Sequence, residues 1–221
     1  LYRYKASRVF DYKTHMGTLA KNMSKGIVGI PRVMNMYENY PFWFTLWTEL
    51  GYEVRLSPVS SRAIYEKGIS SITSETLCYP AKLVHGHIES LIEMGCDIIF
   101  YPSVFYEEKQ FEKADQTINC PVVAGYPDVI RNNMDNLKRA NIKYVNPYLS
   151  FKNRKLMRLA LRKALEKFEI DFSAADLNYA VKMAYEALDK YHEDVYKEGE
   201  RALEYMDKHN LRGIVLAGRP Y

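Results

Sequence analysis

The chain has 221 residues, of which 48% are hydrophobic and 26% charged, and its formal net charge is +4. This composition is ordinary for a soluble globular protein, and so small a positive excess does not indicate a nucleic-acid partner. No apolar run approaches the ~18 residues of a membrane span, no signal peptide opens the chain, and the three cysteines form no disulfide framework, so we expect a cytoplasmic protein.

Residues 1–25 are polar and aromatic without a clear period, which predicts a linker or arm. From Gly26 onward, short apolar runs alternate with helical segments, a pattern typical of βαβ units and a parallel sheet. We therefore predict a Rossmann-like α/β domain over residues 26–150, with helices flanking the sheet. The predicted strands are 27–30, 52–56, 97–101, 121–124 and 142–145, and the predicted helices are 37–50, 61–67, 80–94 and 127–139.

Polar and aromatic residues follow the first predicted strand directly. Arg32, Asn35, Glu38 and Asn39 all lie there, at the carboxyl edge of the sheet where ligands of open α/β sheets bind. They are candidates for binding, although Asn35 and Asn39 suit backbone capping and turning equally well. No glycine-rich phosphate loop follows the strand, so dinucleotide-binding and P-loop functions are excluded.

Cys78 is placed at the start of a predicted helix, because Pro80 is well suited to the first helical position. The helix dipole at that position favours a thiolate over a thiol. Lys82 and His85 follow four and seven residues later, on the same helical face. Cys78 could therefore be a metal ligand or a nucleophile, and the alternative is a small buried side chain in the core.

The remaining cysteines and histidines give weaker signals. Cys96 leads into a predicted strand and is expected to be buried and inert, whereas Cys120 begins a predicted strand at the edge opposite Cys78. His85 and His87 are two positions apart, so on a helix they point about 200° apart and cannot share one metal ion. The sequence therefore supports neither a mononuclear zinc site nor a Ser-His-Asp site.

Residues 151–210 are predicted to form a helical connector, in which Ser173 is a good N-cap. One helix of the connector is strongly basic, which is typical of a solvated face, although an acidic partner or a CoA phosphate remains open. The next helix carries an apolar stripe that predicts core packing, formed by Leu177, Ala180, Val181, Ala184 and Leu188.

The run from Gly213 to Leu216 predicts a buried strand, and Gly218-Arg219-Pro220 predicts a turn after it. A lone strand cannot build a sheet. We therefore expect residues 211–221 to begin a second α/β domain, and the sequence to be an excised piece of a longer protein.

Several segments, in order, resemble one known family. The chain is similar to the acyl-CoA dehydratase activase-related proteins over about residues 24–221, and also to the subunits of 2-hydroxyacyl-CoA dehydratases and to double-cubane iron–sulfur reductases. The resemblance implies a multidomain protein of an anaerobic bacterium with an ATP-dependent activase part and, as a further partner, acyl-CoA. The segments are GIPRVMNMYENYPFW, SETLCYPAKLVHGH, DIIFYP, NCPVVAGYPDVIRNN and GIVLAGRPY.

The resemblance also implies an iron–sulfur cluster, of the 4Fe–4S type, in the full-length protein. Cys78 matches the first cluster ligand, Ser103 stands where such proteins commonly have cysteine, and Cys120 is a further candidate. Lys82 and His85 would then adjust the potential of the cluster. Serine is a poor ligand for iron, so this piece alone is expected to hold a cluster weakly or not at all and to be inactive. The alternative is a docking or scaffold domain that has lost its cluster.

Overall fold

A four-stranded, fully parallel sheet lies at the centre of the computed structural model, which describes residues 1–11 and 24–221. Its strand order is β2-β1-β3-β5. Two shorter strands, β4 and β6, pair in parallel just beyond the ends of β3 and β5. The strands are β1 (Ile27–Ile30), β2 (Glu53–Leu56), β3 (Ile98–Phe100), β4 (Ser103–Val104), β5 (Lys143–Val145) and β6 (Tyr148–Leu149).

Helices flank the sheet, as the sequence predicts, and the expected mixed α/β fold is confirmed. None of the helices found in residues 1–11 and 24–221 has the length and apolar character to cross a bilayer. The helices are α1 (Tyr2–Phe10), α2 (Met36–Glu49), α3 (Arg62–Gly68), α4 (Tyr79–Glu93), α5 (Pro121–Asn133), α6 (Asp135–Arg139), α7 (Arg154–Lys167) and α8 (Ala174–Lys208).

The strand order creates a switch point between β1 and β3. β1 pairs with β3 in parallel register, Val28 opposite Ile98 and Gly29 opposite Ile99. The chain leaves β1 toward β2 on one side of the sheet and leaves β3 toward β5 on the other side. A crevice at the carboxyl ends of two such strands is where open α/β sheets bind ligands.

One predicted strand is wrong, and a second one is not formed in the described residues, so its place at the start of a second domain stays a prediction. Residues 121–124 form the first turn of α5 and not a strand, because Pro121 lacks the N–H that a strand would use and suits the start of a helix. The run Gly213 to Leu216 has no regular structure, and Ile214 and Val215 are 95% and 94% exposed. No strand in the described part of the chain pairs with this run, so its apolar side chains remain in solvent.

Aromatic side chains of α2 form the centre of the core. Trp43 and Trp47 are fully buried, and both rings contact the Phe100 ring of β3 edge-on at 5.1 and 5.2 Å between centroids. The apolar stripe of α8, predicted as core, packs into the same cluster, and the Ser173 side chain caps α8 by accepting a hydrogen bond from the Asp176 amide. α1, which falls in the segment predicted as an arm, buries Val9 and Phe10 in this core.

Glycines set the distance between α3 and α4. A Cβ atom added at Gly86 of α4 would lie 1.7 Å from the backbone oxygen of Ile64 in α3, and one added at Gly68 would lie 2.2 Å from the Gly86 nitrogen. Real Cβ contacts are never so short, so the two helices can pack at this distance only with glycine at both positions. This contact holds α4, and with it Cys78, against the molecule.

We predict that Gly86→Ala lowers the free energy of unfolding by about 2 kcal/mol or more, because the α3 backbone must move away. The matched control is Gly125→Ala in α5, where an added Cβ meets nothing within 4 Å. That change should stabilise the fold by about 0.5–1 kcal/mol, since alanine restricts the unfolded chain. Urea denaturation of both variants checks the prediction, which equal effects of the two substitutions would contradict.

Candidate functional site

Polar groups follow β1 and β3 in the chain and lie at the switch point, where these two strands end. Met34 adopts a left-handed backbone with φ of 45°, which is uncommon outside glycine. Asn35, next to it, is 1% exposed, and neither its amide nitrogen nor its amide oxygen has a hydrogen-bond partner. The Ser103 hydroxyl, in β4 just beyond β3, is equally buried and unpartnered. This edge therefore holds polar groups that the fold itself does not use.

Cys78 and Cys120 occupy equivalent positions at this edge. Cys78 is the N-cap of α4 and is exposed, and Cys120 is the N-cap of α5 and is half-buried. The predicted place of Cys120 at the opposite edge is wrong, because residues 121–124 are helical. A helix that follows a strand of a parallel sheet starts at the carboxyl edge, so α5 brings Cys120 to the side of Cys78.

The phenol of Tyr221 lies within electrostatic range of both thiols. Burial raises the pKa of Tyr221, Arg219 lowers it, and the nearby Cys120, Glu38 and Cys78 each raise it further. The two cysteines therefore face one common region at the edge of the sheet. The third cysteine, Cys96, is buried at the other end of β3, as predicted, and a Cβ added at Gly29 would lie 2.8 Å from its sulfur.

The available ligands do not complete a cluster site. Iron–sulfur clusters are usually held by four thiolates, and this edge offers two thiols and the Ser103 hydroxyl. No group of three histidine, cysteine or acidic side chains in residues 1–11 and 24–221 is arranged to hold a metal ion. The described residues alone therefore do not fit a complete 4Fe–4S site.

His85 belongs to a buried hydrogen-bond chain that leads toward Cys78. Its Nδ1 lies 2.8 Å from the Ser71 hydroxyl and its Nε2 lies 2.9 Å from the Tyr126 hydroxyl. Ser71 donates to the Gly68 carbonyl, so the histidine Nδ1–H donates to Ser71 and Tyr126 donates to Nε2. Tyr126 in turn has its pKa raised to about 12, by burial and then by the neighbouring Cys78.

His87 points away from His85, as the two-residue spacing predicts. Its Nδ1 is 2.8 Å from the Ser57 hydroxyl and its Nε2 is 3.0 Å from the Ser60 hydroxyl. Ser57 also accepts a hydrogen bond from the Arg32 amide, and the tautomer of His87 sets which partner donates in each of its two contacts. Burial lowers the pKa of His87, like that of His85, to about 4, so both rings are neutral at pH 7.

Glu107 is a site residue that the sequence did not indicate. Its two carboxylate oxygens accept hydrogen bonds from the side-chain amides of Asn39 at 2.8 Å and Asn119 at 2.6 Å. Burial raises the pKa of Glu107 to about 7, and the two amides oppose that rise. Glu38, a predicted candidate, is the nearby charge that raises it further. Glu107 stands in a run of mixed charges, which is typical of a solvated loop, so its burial left no sequence signal.

Of three further predicted residues, Arg32 and Lys82 have structural partners and Asn35 has none for its side chain. The Arg32 guanidinium stacks 4.4 Å above the Phe10 ring centroid, although its Nε is unpartnered. Asn35 is the N-cap of α2 but makes no capping hydrogen bond with its side chain, so the predicted capping role is wrong. Lys82 donates to the backbone oxygen of Glu75 at 2.7 Å, which fixes the loop in front of Cys78.

The basic helix is α7, and its charges are partly neutralised within the molecule. Arg154 forms a bidentate pair with Asp189 of α8, and Arg162 pairs with Glu166. A cavity of about 160 Å³ lies between α7 and α8, lined by Arg158, Arg162 and the first turn of α8. Binding of a CoA phosphate here stays a prediction.

Comparison with known proteins identifies one family. Residues 27–221 match the family model described as CoA enzyme activase uncharacterised domain (DUF2229). No curated protein and no solved structure matches the chain. The match confirms the predicted relation to activase-related proteins, whereas the resemblance to dehydratase subunits and iron–sulfur reductases stays a prediction.

We predict that the buried histidines make the fold acid-sensitive. His87 binds a proton below pH 6.5 when unfolded but only below about pH 4 when folded. Its contribution to stability is therefore complete above pH 6.5 and is lost as the pH falls toward 4. Between pH 6.5 and about pH 4, His87→Gln should reduce the slope of unfolding free energy against pH by about 1.4 kcal/mol per pH unit. Urea titrations at several pH values measure the slope.

The matched control is His209→Gln. His209 lies at the exposed end of α8, where its Nδ1 contacts the Tyr205 carbonyl. This substitution should leave the slope unchanged. A slope that is the same in His87→Gln as in the parent protein would show that His87 does not titrate on unfolding.

Proposed function

Because the chain belongs to the CoA enzyme activase uncharacterised domain family, we propose that it supplies two thiolate ligands, Cys78 and Cys120, to an iron–sulfur cluster in an activase-driven electron-transfer system. The observation that carries the proposal is that both cysteines cap helices that start at the same edge of the sheet. When bound, such a cluster would take up and pass on one low-potential electron. The partner would be an ATP-dependent activase, as a domain of the same protein or as a separate one.

The helix N-termini explain why thiols at these two positions suit a metal. Unpaired backbone N–H groups and the positive end of the helix dipole stabilise a thiolate, which is the form that binds iron. Each cysteine is followed within two residues by a proline at the start of its helix, so the backbone at both caps is fixed in advance. The edge thus offers two ligands whose positions are set before any metal arrives.

The cluster is proposed to be shared, because this part of the chain provides only two thiols at one edge. The remaining thiolates would come from a second domain or a partner chain that docks against the exposed Cys78. The Lys82 contact to Glu75 and the hydrogen-bond chain from Ser71 through His85 to Tyr126 fix the surroundings of Cys78. Their role is to hold the ligand in place.

A second candidate function is docking without a cluster. Ser103 favours it, because a hydroxyl stands where related proteins are expected to have a thiol, and it is buried without a partner. In this case the same edge would be a contact surface between the activase part and its target. The two candidates differ in whether the intact protein binds iron at all.

We expect the intact protein, reconstituted anaerobically with iron and sulfide, to show the visible charge-transfer absorption of a cluster. Cys78→Ala and Cys120→Ala should each remove most of that absorption and most of the bound iron, because each removes one ligand of a shared site. Cys96→Ala is the matched control, since Cys96 is buried at the far end of β3 and should not affect iron content. Absorption that survives both edge substitutions would refute the proposal.

Replacement of Ser103 by cysteine separates the two candidates. If the cluster lies at this edge, Ser103→Cys adds a third thiolate and should slow the loss of iron to a chelator several-fold. Iron content that is negligible in the intact parent protein and appears only in Ser103→Cys would instead favour docking without a cluster. Iron that is present in the parent and leaves both proteins at the same rate would show that position 103 does not contact the metal.

A further inference from the structure

The 105–119 loop joins β4 to Cys120, the N-cap of α5. It forms no helix and no strand of its own, and loops of this length without regular structure are usually functional. Its two arms are paired at the base. The Asn119 backbone amide donates to the Phe105 carbonyl at 2.8 Å, and that of Glu107 donates to a carbonyl of the opposite arm at 2.9 Å. This pairing brings Glu107 to Asn119, the residue directly before Cys120.

The Glu107 carboxylate joins the end of this loop to α2. One of its oxygens accepts a hydrogen bond from the Asn119 side-chain amide at 2.6 Å, and the other accepts one from the Asn39 side-chain amide at 2.8 Å. Both asparagines are buried, and Asn39 belongs to the helix whose tryptophans form the centre of the core. The turn that presents Cys120 is therefore connected to the core helix through one carboxylate.

The carboxylate has no ionic partner at this place. In the described ranges 1–11 and 24–221, both hydrogen bonds to the Glu107 side chain come from neutral amides, and Arg219 bonds to the Asn119 oxygen instead, at 3.5 Å. A half-buried charge without a paired cation costs free energy, so folding alone does not favour glutamate here. The next residue differs: Glu108 pairs with Arg154 of α7 at 2.8 Å, which attaches the outer part of the loop independently of Glu107.

We propose that Glu107 is the positioning residue of Cys120, because its carboxylate, held by Asn39, fixes Asn119 and with it the turn that presents the thiol. The inference deepens the proposed function, on which it rests only for the role of Cys120 as a ligand. Without the carboxylate, both buried amides lose their common acceptor, so the turn should open more often. The half-buried thiol should then become more accessible.

The test follows the thiols themselves and needs no cluster. Alkylation by iodoacetamide is measured for each cysteine of the metal-free full chain by peptide mass spectrometry, one pH unit above the pKa of Glu107, which burial raises to about 7. We expect Glu107→Ala to raise the rate at Cys120 several-fold and to change little at Cys78, which is already exposed. Buried Cys96 should stay unreactive, which reports an intact fold. Glu112→Ala, an exposed glutamate of the same loop, is the matched control and should change no rate.

Glu107→Gln separates position from charge. Both substitutions remove the negative charge of residue 107, and that change alone favours the reactive thiolate and speeds alkylation. Glutamine, however, keeps an oxygen that can accept the hydrogen bond from the Asn119 amide. We therefore expect the Cys120 rate in Glu107→Gln to stay close to that of the parent protein and well below that of Glu107→Ala. Equal rises in the two variants would assign the effect to charge and overturn the proposal.

Asn39→Ala tests the connection to α2 and decides the question if Glu107→Ala exposes Cys96 and so fails to fold. It should raise the Cys120 rate, and it should add little in the double variant with Glu107→Ala, because both changes act through the same carboxylate. A Cys120 rate that rises in neither single variant, or effects that combine independently, would contradict the inference. These rates do not depend on whether the intact protein binds iron, so the inference and the proposed function fail separately.

Discussion

The parallel pairing of β1 with β3 is the constraint on which the site depends. Because both strands run in the same direction, the loops that leave them emerge at one edge, and the chain then turns to opposite sides of the sheet. α4 starts at that edge and leads back to the beginning of β3. Later in the chain, α5 starts at the same edge. The topology, rather than the local sequence, therefore brings residues that are far apart in the chain to the same edge. Among them are Asn35, Cys78, Ser103 and Cys120.

The strands of the central sheet could be predicted from sequence because each is a short apolar run with both faces covered. Residues 121–124 were mispredicted for the same reason: two adjacent valines suit a strand, and only the proline before them starts a helix instead. That single error moved Cys120 to the wrong edge. Glu107 could not have been found, since it is half-buried and its hydrogen-bond partner Asn39 lies 68 residues away in sequence.

The apolar run at 213–216 shows a different limit of sequence patterns. Such a run has the composition of a buried strand, but a strand is stable only beside another strand. In the described residues no neighbour is present, and the side chains are solvated. The apolar pattern indicates that the segment can pair with a strand, and none of the described strands pairs with it. At the end of the same segment, Tyr221 packs against the core and Arg219 donates to the Asn119 side chain.

Some buried polar side chains of this molecule have hydrogen-bond partners and others have none, and this difference bears on which of them serve folding. An unpaired buried polar group costs about 1–3 kcal/mol, so a fold gains by satisfying it or by replacing it with an apolar side chain. His85 and His87 are fully buried, yet both nitrogens of each ring have partners, which lie in the loops before and after α3 and in α5, so the two histidines join α4 to these segments. Asn35 and Ser103 are buried just as deeply without any partner.

An apolar side chain of similar size at either position would remove that cost, so folding alone gives no reason for the amide or the hydroxyl. The same contrast separates the cysteines: Cys96 fills space beside Gly29, while Cys78 and Cys120 stand at helix N-termini where a small apolar side chain would contribute little to the core. Unpartnered buried polar atoms also occur elsewhere, in Trp43, Thr45, Trp47, Asn146, Tyr185 and Tyr191. Asn35 is distinct because both of its amide atoms lack a partner, and it lies with Ser103 and the two thiols at the edge where β1 and β3 end. That coincidence is the physical argument for function at this edge rather than in the groove between α7 and α8, whose arginines are in part paired within the molecule.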